Sequence, residues 1–447
     1  MAERKTREEL EELKNIYNVF DIYSWSRYNL SKTDMYSYFL RYIKKIKEDR
    51  ADSIYSYAGS LVHDLMEGFY DGTLSKEKLS EIYEEKMFEF ELAGYKFDRN
   101  NEERNLSIGN KYNYCNKHYL ENFIPIEGDN IKNIKLEDYL LIKVGKFLFN
   151  GYSDFEYETE LDGICKKYIV DFKTSTIYKG DKINKERGQL LLYALSKVQE
   201  GWDVSDIVIG WLFTKYVSVD VPKKDGFTTR EIERNEIGSK LKASVGSQLK
   251  KVVRYDDVFI DNILLELENN SNLSKDIPEL LLIELGDIDK KKDGTIKVAY
   301  INKLRKLLSE YPKYSEREIE LYLDELVLTN DINCIPIEVR CLYSFRDCFV
   351  EIPFVKEDLE ELQDQIVQQI VKIHKLESEY KKNNDDKIFY SEIDRSNDYF
   401  FAVLSGYSPK LHKPYKEYLD SLGINKDDVE IEDDINDILL ELGIDLD

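Results

Sequence analysis

The chain has 447 residues, 42% of them apolar and 34% charged, with 33 tyrosines and only 8 prolines, which is material for a sizeable core in two or three domains and argues against long disordered stretches. There is no apolar run of about 18 residues and no apolar signal core at the charged N-terminus, so no membrane span is expected and the cytoplasm is the expected location. A net charge of −24 excludes broad, charge-driven nucleic-acid binding, so an anionic substrate would have to meet locally concentrated cations, for which Arg41–Lys47 and Lys240–Arg254 are the candidates.

Charge alternates with apolar positions at helical spacing over residues 5–17, and residues 33–48 read as a second, basic amphipathic helix. Residues 58–70 form a helix with one apolar face, ended near Asp71-Gly72, and residues 75–122 read as polar helix. From about 139 the pattern changes to strand-type residues, over 139–144, 146–161 and 164–174. A helix follows at 185–199, then an apolar strand at 207–213 that continues into 216–221. Residues 222–330 read as mainly helical, and 357–383 as one long charged helix. Acidic residues gather in Glu357–Glu361 and in the tail Asp427–Asp447, a solvating or partner-contacting end. The cysteines Cys115, Cys165, Cys334, Cys341 and Cys348 match no zinc or iron–sulfur spacing and read as small buried hydrophobes.

The chemistry concentrates in a hairpin. Asp162-Gly163 between two strand-like runs is a two-residue turn signal, which pairs Leu161 with Ile164. Counting back along both strands puts Asp154 directly opposite Asp171 on one face, with Lys173 pointing to the same face two residues on. Like charges across a ladder are destabilising, and a divalent cation between them would reverse that. Two carboxylates, the Phe172 backbone carbonyl and waters suit Mg²⁺ or Mn²⁺, and Lys173 can orient the attacking water and offset negative charge in a transition state. Asp162 has an allowed spacing for the first carboxylate too, but the turn itself claims it.

Gly151-Tyr-Ser-Asp154 followed by Asp171-Phe-Lys-Thr174 resembles the G-x-x-D and D-x-K-T motifs of RecB-type PD-(D/E)xK nucleases, the group of the AddB nuclease domain and the CRISPR-adaptation exonucleases. Gly59–His63 resembles the family's G-x-x-x-H helix, and the resemblance implies that His63 is a metal ligand beside Asp154, Asp171 and the Phe172 carbonyl, with Glu67 one turn on in a supporting place. Gln189–Tyr193 resembles the Q-x-x-x-Y helix, which implies contact with the scissile nucleotide and support of Lys173. Iron–sulfur members carry Cys-Pro where this chain has Asp34-Met35. Their other cysteines lie near the C-terminus, where the similar segment Asp398–Tyr415 has none, so no cluster is expected, although the two ends are expected to pack together.

The resemblance implies an α/β restriction-endonuclease-like core, a mixed central sheet flanked by helices, with large helical additions. The expected organisation is an N-terminal helical segment 1–54, a nuclease core 55–221, a helical accessory region 222–384, a segment 385–425 that packs back on the core and an acidic tail 426–447. Catalysis is expected of Asp154, Asp171 and Lys173, on DNA ends or single strands in recombination, repair or phage DNA metabolism, in a bacterial host if the chain is phage-encoded. Tyr152, Phe155, Phe172 and Tyr178 are candidates for stacking bases. The competing reading is a silent or partner-dependent DNA-end-binding subunit of a complex with a helicase or recombination protein.

Overall fold

The computed structural model describes residues 5–50, 53–97, 101–161, 163–270, 277–398 and 400–424; Asp162 and the acidic tail lie outside the described residues. In chain order the strands are β1 (Ile22–Ser24), β2 (Ile131–Val144), β3 (Phe147–Leu161), β4 (Ile164–Lys173), β5 (Ile207–Lys223), β6 (Gly226–Glu233) and β7 (Ser344–Glu351). The α-helices are α1 (Arg7–Tyr17), α2 (Trp25–Thr33), α3 (Met35–Tyr38), α4 (Ile54–Tyr70), α5 (Lys76–Leu92), α6 (Glu102–Asn122), α7 (Asp181–Glu186), α8 (Gly188–Glu200), α9 (Ile237–Leu249), α10 (Asp257–Asn270), α11 (Glu279–Leu285), α12 (Val298–Ser309), α13 (Glu316–Thr329), α14 (Ile337–Arg340), α15 (Lys356–Asn383) and α16 (Lys413–Ser421). This is the expected mixed α/β architecture: a seven-stranded sheet in the order β1-β3-β4-β5-β6, with β2 on β3 and β7 on β5.

The chain divides into two compact units, residues 1–216 with 347–447 and residues 217–346. In the first unit β3 is the organising strand. Along one edge it pairs antiparallel with β2. Along the other it pairs first with β1, in parallel at Leu148–Asn150, and then with β4, antiparallel at Phe155–Leu161. Gly151–Asp154 fall between these two partners. The side chains alternate as a strand requires. Phe155, Val170, Phe172 and Leu212 go to a core under α4, α5 and α6, while Ile169, Ile209, Trp211 and Phe213 go to a second core under α8 and α15.

The helices bury what their spacing dictates. Ile54, Ala58, Val62, Leu65 and Met66 make one apolar stripe along α4, whose start is capped by the Ser53 hydroxyl. The expected single helix at 185–199 is two helices broken at Arg187, which pairs with Asp358 at 2.8 Å. Gly188 then opens α8 against the Trp25 indole, where a Cβ would lie 2.2 Å from the ring. The helix expected over 33–48 is shorter: Asp34 caps α3, a π turn follows at Phe39–Ile43, and the chain leaves helix at Lys44. The stretch 75–122 is likewise split, into α5 and α6.

Asp34 is buried and accepts from the Ser37 amide at 3.0 Å, from the Ser37 hydroxyl and from His412 Nε2 at 3.0 Å, while His412 Nδ1 accepts from the Tyr415 amide. Arg50 reaches the carbonyls of Phe401 and Ser405 at 2.7 and 3.0 Å. Polar contacts thus tie the segment 34–50 to the segment 401–415. Only Cys115 and Cys348 are buried; Cys165 and Cys341 are exposed and Cys334 is intermediate, which corrects the expectation of five core thiols.

The second unit opens with the end of β5 and with β6, so its first part is strand and not helix. Two clusters form its core, one around Val219, Leu241 and Leu326, the other among α10, α11 and α12 around Leu267 and Leu304. The basic stretch Lys240–Arg254 is partly neutralised, because Lys240 pairs with Glu236 at 3.3 Å and Lys242 with Asp324 at 3.1 Å. Among the described residues no helix is long and apolar enough to cross a membrane.

Candidate active site

The site forms where β3 passes from one neighbour to the next. The β3–β4 ladder pairs Leu161 with Ile164 and holds that register up to Phe155 and Val170. One step further, Asp154 and Asp171 stand opposite each other, but the strands have parted. Phe172 therefore lacks a ladder partner on its β3 side. Its amide donates to Asp154 Oδ2 at 3.0 Å, and its carbonyl meets His63 Nε2 at 3.0 Å. His63 comes from α4 on one side of the sheet, whereas Lys173 and Asp171 project towards α8 on the other.

These contacts fix the histidine tautomer. A carbonyl can only accept, so Nε2 carries a proton, and in the neutral ring it is Nδ1 that presents the lone pair. That lone pair faces Asp154 Oδ2 at 3.4 Å. Two acceptors at this distance repel unless a proton or a cation lies between them. The carbonyl of Phe172 is already engaged by His63, so its expected metal contact would have to use its second lone pair.

Glu137 completes the group, and the reading of the sequence missed it. The ligand atoms of His63, Glu137 and Asp154 all lie within 4.8 Å of one another. The β2–β3 ladder pairs Leu136 with Phe155 and Asp138 with Ser153, which sets Glu137 opposite Asp154. With the β3–β4 ladder extended by one step, Asp154 lies between Glu137 and Asp171, but Asp171, paired with Lys173, is not among the three residues whose ligand atoms converge. Glu137 has a backbone φ of +47°, a left-handed conformation rare for a non-glycine residue. Such strain persists only where the surroundings hold it. Glu67, one turn beyond His63 and half-buried, is not among the three converging residues.

Asp171 is buried, and Lys173 Nζ lies 2.5 Å from its Oδ2. The Asp171 carboxyl is raised to about 6, chiefly by burial, with Lys173 opposing the rise and Asp154 adding to it. Burial lowers the affinity of Lys173 for its proton, but Asp171 and Asp154 outweigh this and hold it above the ordinary lysine value. Lys173 is therefore a cation at neutral pH.

A cleft of about 350 Å³ opens beside Lys173, lined among others by Tyr55, Ser60, Ser175, Glu186 and Gln189. Gln189 Nε2 donates to the Tyr193 hydroxyl at 2.8 Å. Tyr193 is buried, its phenol held in the neutral form, and it lies against Gly151, where a Cβ would come within 3.0 Å of the ring. This close approach accounts for the glycine three residues before Asp154. Gln189 thus reaches the cleft and Tyr193 supports it. Phe155 is a core residue and Tyr152 lies between Tyr139 and the Lys5 amide, away from the cleft, whereas Phe172 and Tyr178 are largely buried but line it, Tyr178 packing edge-on against Trp211.

The donor set suits a hard divalent cation: carboxylate oxygens with one imidazole, in a site where the carboxylates of Glu137, Asp154 and Asp171 outnumber the one Lys173 ammonium. No curated protein is significantly similar to the chain. The sequence profile of the PD-(D/E)XK nuclease superfamily, whose members are generally metal-dependent phosphodiester hydrolases, matches residues 23–256. With that match over more than half its length, and with paired acids and a lysine at the point where two sheet strands part, the chain belongs to the PD-(D/E)XK nuclease superfamily.

Proposed function

We propose that this nuclease is a RecB-type deoxyribonuclease that degrades DNA from ends or along single strands, with Mg²⁺ or Mn²⁺ held by His63, Asp154, Asp171 and Glu137. The observation that carries the reading is the convergence of His63, Glu137 and Asp154, with the Asp171–Lys173 pair just beyond the end of the β3–β4 ladder beside them. A bound divalent ion supplies Lewis acidity at a phosphoryl oxygen and makes water a nucleophile near neutral pH. The chain's own groups do the rest. Lys173, held protonated by Asp171, donates to the phosphate and stabilises the charge that grows on it. Gln189, fixed by Tyr193, contributes an amide to the cleft and positions the nucleotide.

Partial neutralisation of the basic stretch by Glu236 and Asp324, with a net charge of −24, favours a second element in this reading. DNA is delivered by a partner, such as a helicase or recombination protein, and the isolated chain binds it weakly. The test compares linear and covalently circular single strands of one sequence in Mn²⁺. The linear strand is expected to be degraded and the circle spared. Cleavage of both at equal rates would make the enzyme an endonuclease.

A further inference from the structure

Behind the site carboxylates lies a group of charges that the chemistry above does not use. Glu156, Lys197 and Ser153 are fully buried, and Lys167 nearly so. Lys197 Nζ is 3.0 Å from Glu156 Oε2, 3.1 Å from Glu200 Oε1 and 3.7 Å from Asp138 Oδ2. Lys167 Nζ shares the same Glu156 oxygen at 3.1 Å and lies 3.6 Å from Glu158 Oε1. The Ser153 hydroxyl donates to Glu156 Oε1 at 2.6 Å.

A buried ion network is a poor source of stability, because taking each charge out of water costs as much as the pairing returns. Its worth here lies in what it touches. Asp138 follows Glu137 on β2. Ser153 precedes Asp154 on β3 and is the ladder partner of Asp138. Lys197 stands one turn after Tyr193 on the same face of α8. One ammonium therefore fixes β2, β3 and α8 to each other one residue away from two of the carboxylates and one turn away from the tyrosine under Gln189.

We propose that Lys197, acting through Glu156, Asp138 and Ser153, is a positioning residue that sets the spacing of Glu137 and Asp154 for a divalent cation. The inference rests on the metal-dependent reading of the site. The supporting groups behind metal ligands characteristically change affinity ten- to a hundredfold when removed. Removing one member of a buried ion pair is costly chiefly through the unpaired charge it leaves, but here Glu156 keeps Lys167 when Lys197 is replaced, and Lys197 keeps Glu200 when Glu156 is replaced. The two effects therefore separate in Lys197.

The experiment is calorimetric titration of Mn²⁺ into the full chain, with thermal unfolding in EDTA, for wild type, Lys197→Met and Glu156→Gln. The expected result is a Mn²⁺ dissociation constant raised ten- to a hundredfold in both variants, with midpoints in EDTA close to wild type. Glu156→Gln carries the test if Lys197→Met does not fold. Folded variants that bind Mn²⁺ as tightly as wild type would overturn the inference and leave the site reading standing. A wild-type chain that takes up no Mn²⁺ overturns the site reading and the inference with it.

Discussion

Asp171→Asn is expected to abolish cleavage and, in EDTA, to make the protein more stable than wild type. The two effects have opposite signs because the same charge that serves the reaction burdens the fold. The Asp171 carboxyl is raised from 3.8 to about 6, chiefly by burial, so the native state binds its proton more tightly than the unfolded chain does. A group of this kind costs stability once it has to ionise. The cost is absent below about pH 4, where the carboxyl is protonated in both states. It grows between about pH 4 and 6 and is constant above, at about 3 kcal/mol. Asparagine removes it. The readout is the difference in unfolding free energy between variant and wild type in EDTA across this range, since other carboxylates shift both proteins alike. A difference near zero at pH 4 that rises to its full value by pH 6–7 is expected, and saturating Mn²⁺ should reverse its sign. An Asn variant less stable than wild type at pH 7 in EDTA would show that Asp171 is paid for inside the fold and needs no cation.

Glu137→Gln is the second large effect. Gln keeps the shape and the left-handed backbone but withdraws one charge from the group with His63 and Asp154. The Mn²⁺ concentration for half-maximal cleavage is expected to rise at least tenfold, on the order of what even indirect support of a metal costs. The rate at saturating metal should fall much less. Cleavage titrated against Mn²⁺ checks this, with His63→Ala alongside. An unchanged metal requirement in Glu137→Gln would remove Glu137 from the ligand set.

The difference between what the sequence reveals and what it hides is instructive at this pair of acids. Asp154 and Asp171 were legible because a two-residue turn fixes a register and the register reaches them. The same counting was available one hairpin earlier. Gly145 and Lys146 form the turn between β2 and β3, Val144 pairs with Phe147, and counting back brings Glu137 opposite Asp154. It was missed because residues 132–135 are exposed and mostly polar, and a register shift falls between Lys132 and Lys135, so the pattern there is not that of a half-buried strand. His63 and Gln189 came from motif resemblance, and their contacts with Phe172 and Tyr193 depend on packing between elements that no local pattern encodes.

Propensity misled where tertiary contacts decide. Arg187 breaks the helix at 185–199 because Gly188 has to pass under Trp25, a residue more than 160 positions away in the chain. The basic helix at 33–48 begins at Asp34, which caps α3 through the Ser37 amide and is held by His412, and it ends after the π turn at Ile43, just before Lys45 takes a positive φ. No local pattern marks Lys197 as buried, since its partners Glu156 and Asp138 come from strands that are distant in sequence.

The most direct test of the central claim is cleavage of end-labelled single- and double-stranded DNA in Mn²⁺, Mg²⁺ or EDTA by wild type, Asp171→Ala and Lys173→Ala. Metal-dependent cleavage by wild type is predicted, with none in EDTA, and a loss of at least about 100-fold in each variant, the size of effect that removing one transition-state charge produces. Cleavage that survives EDTA, or that Lys173→Ala retains in full, would contradict the account.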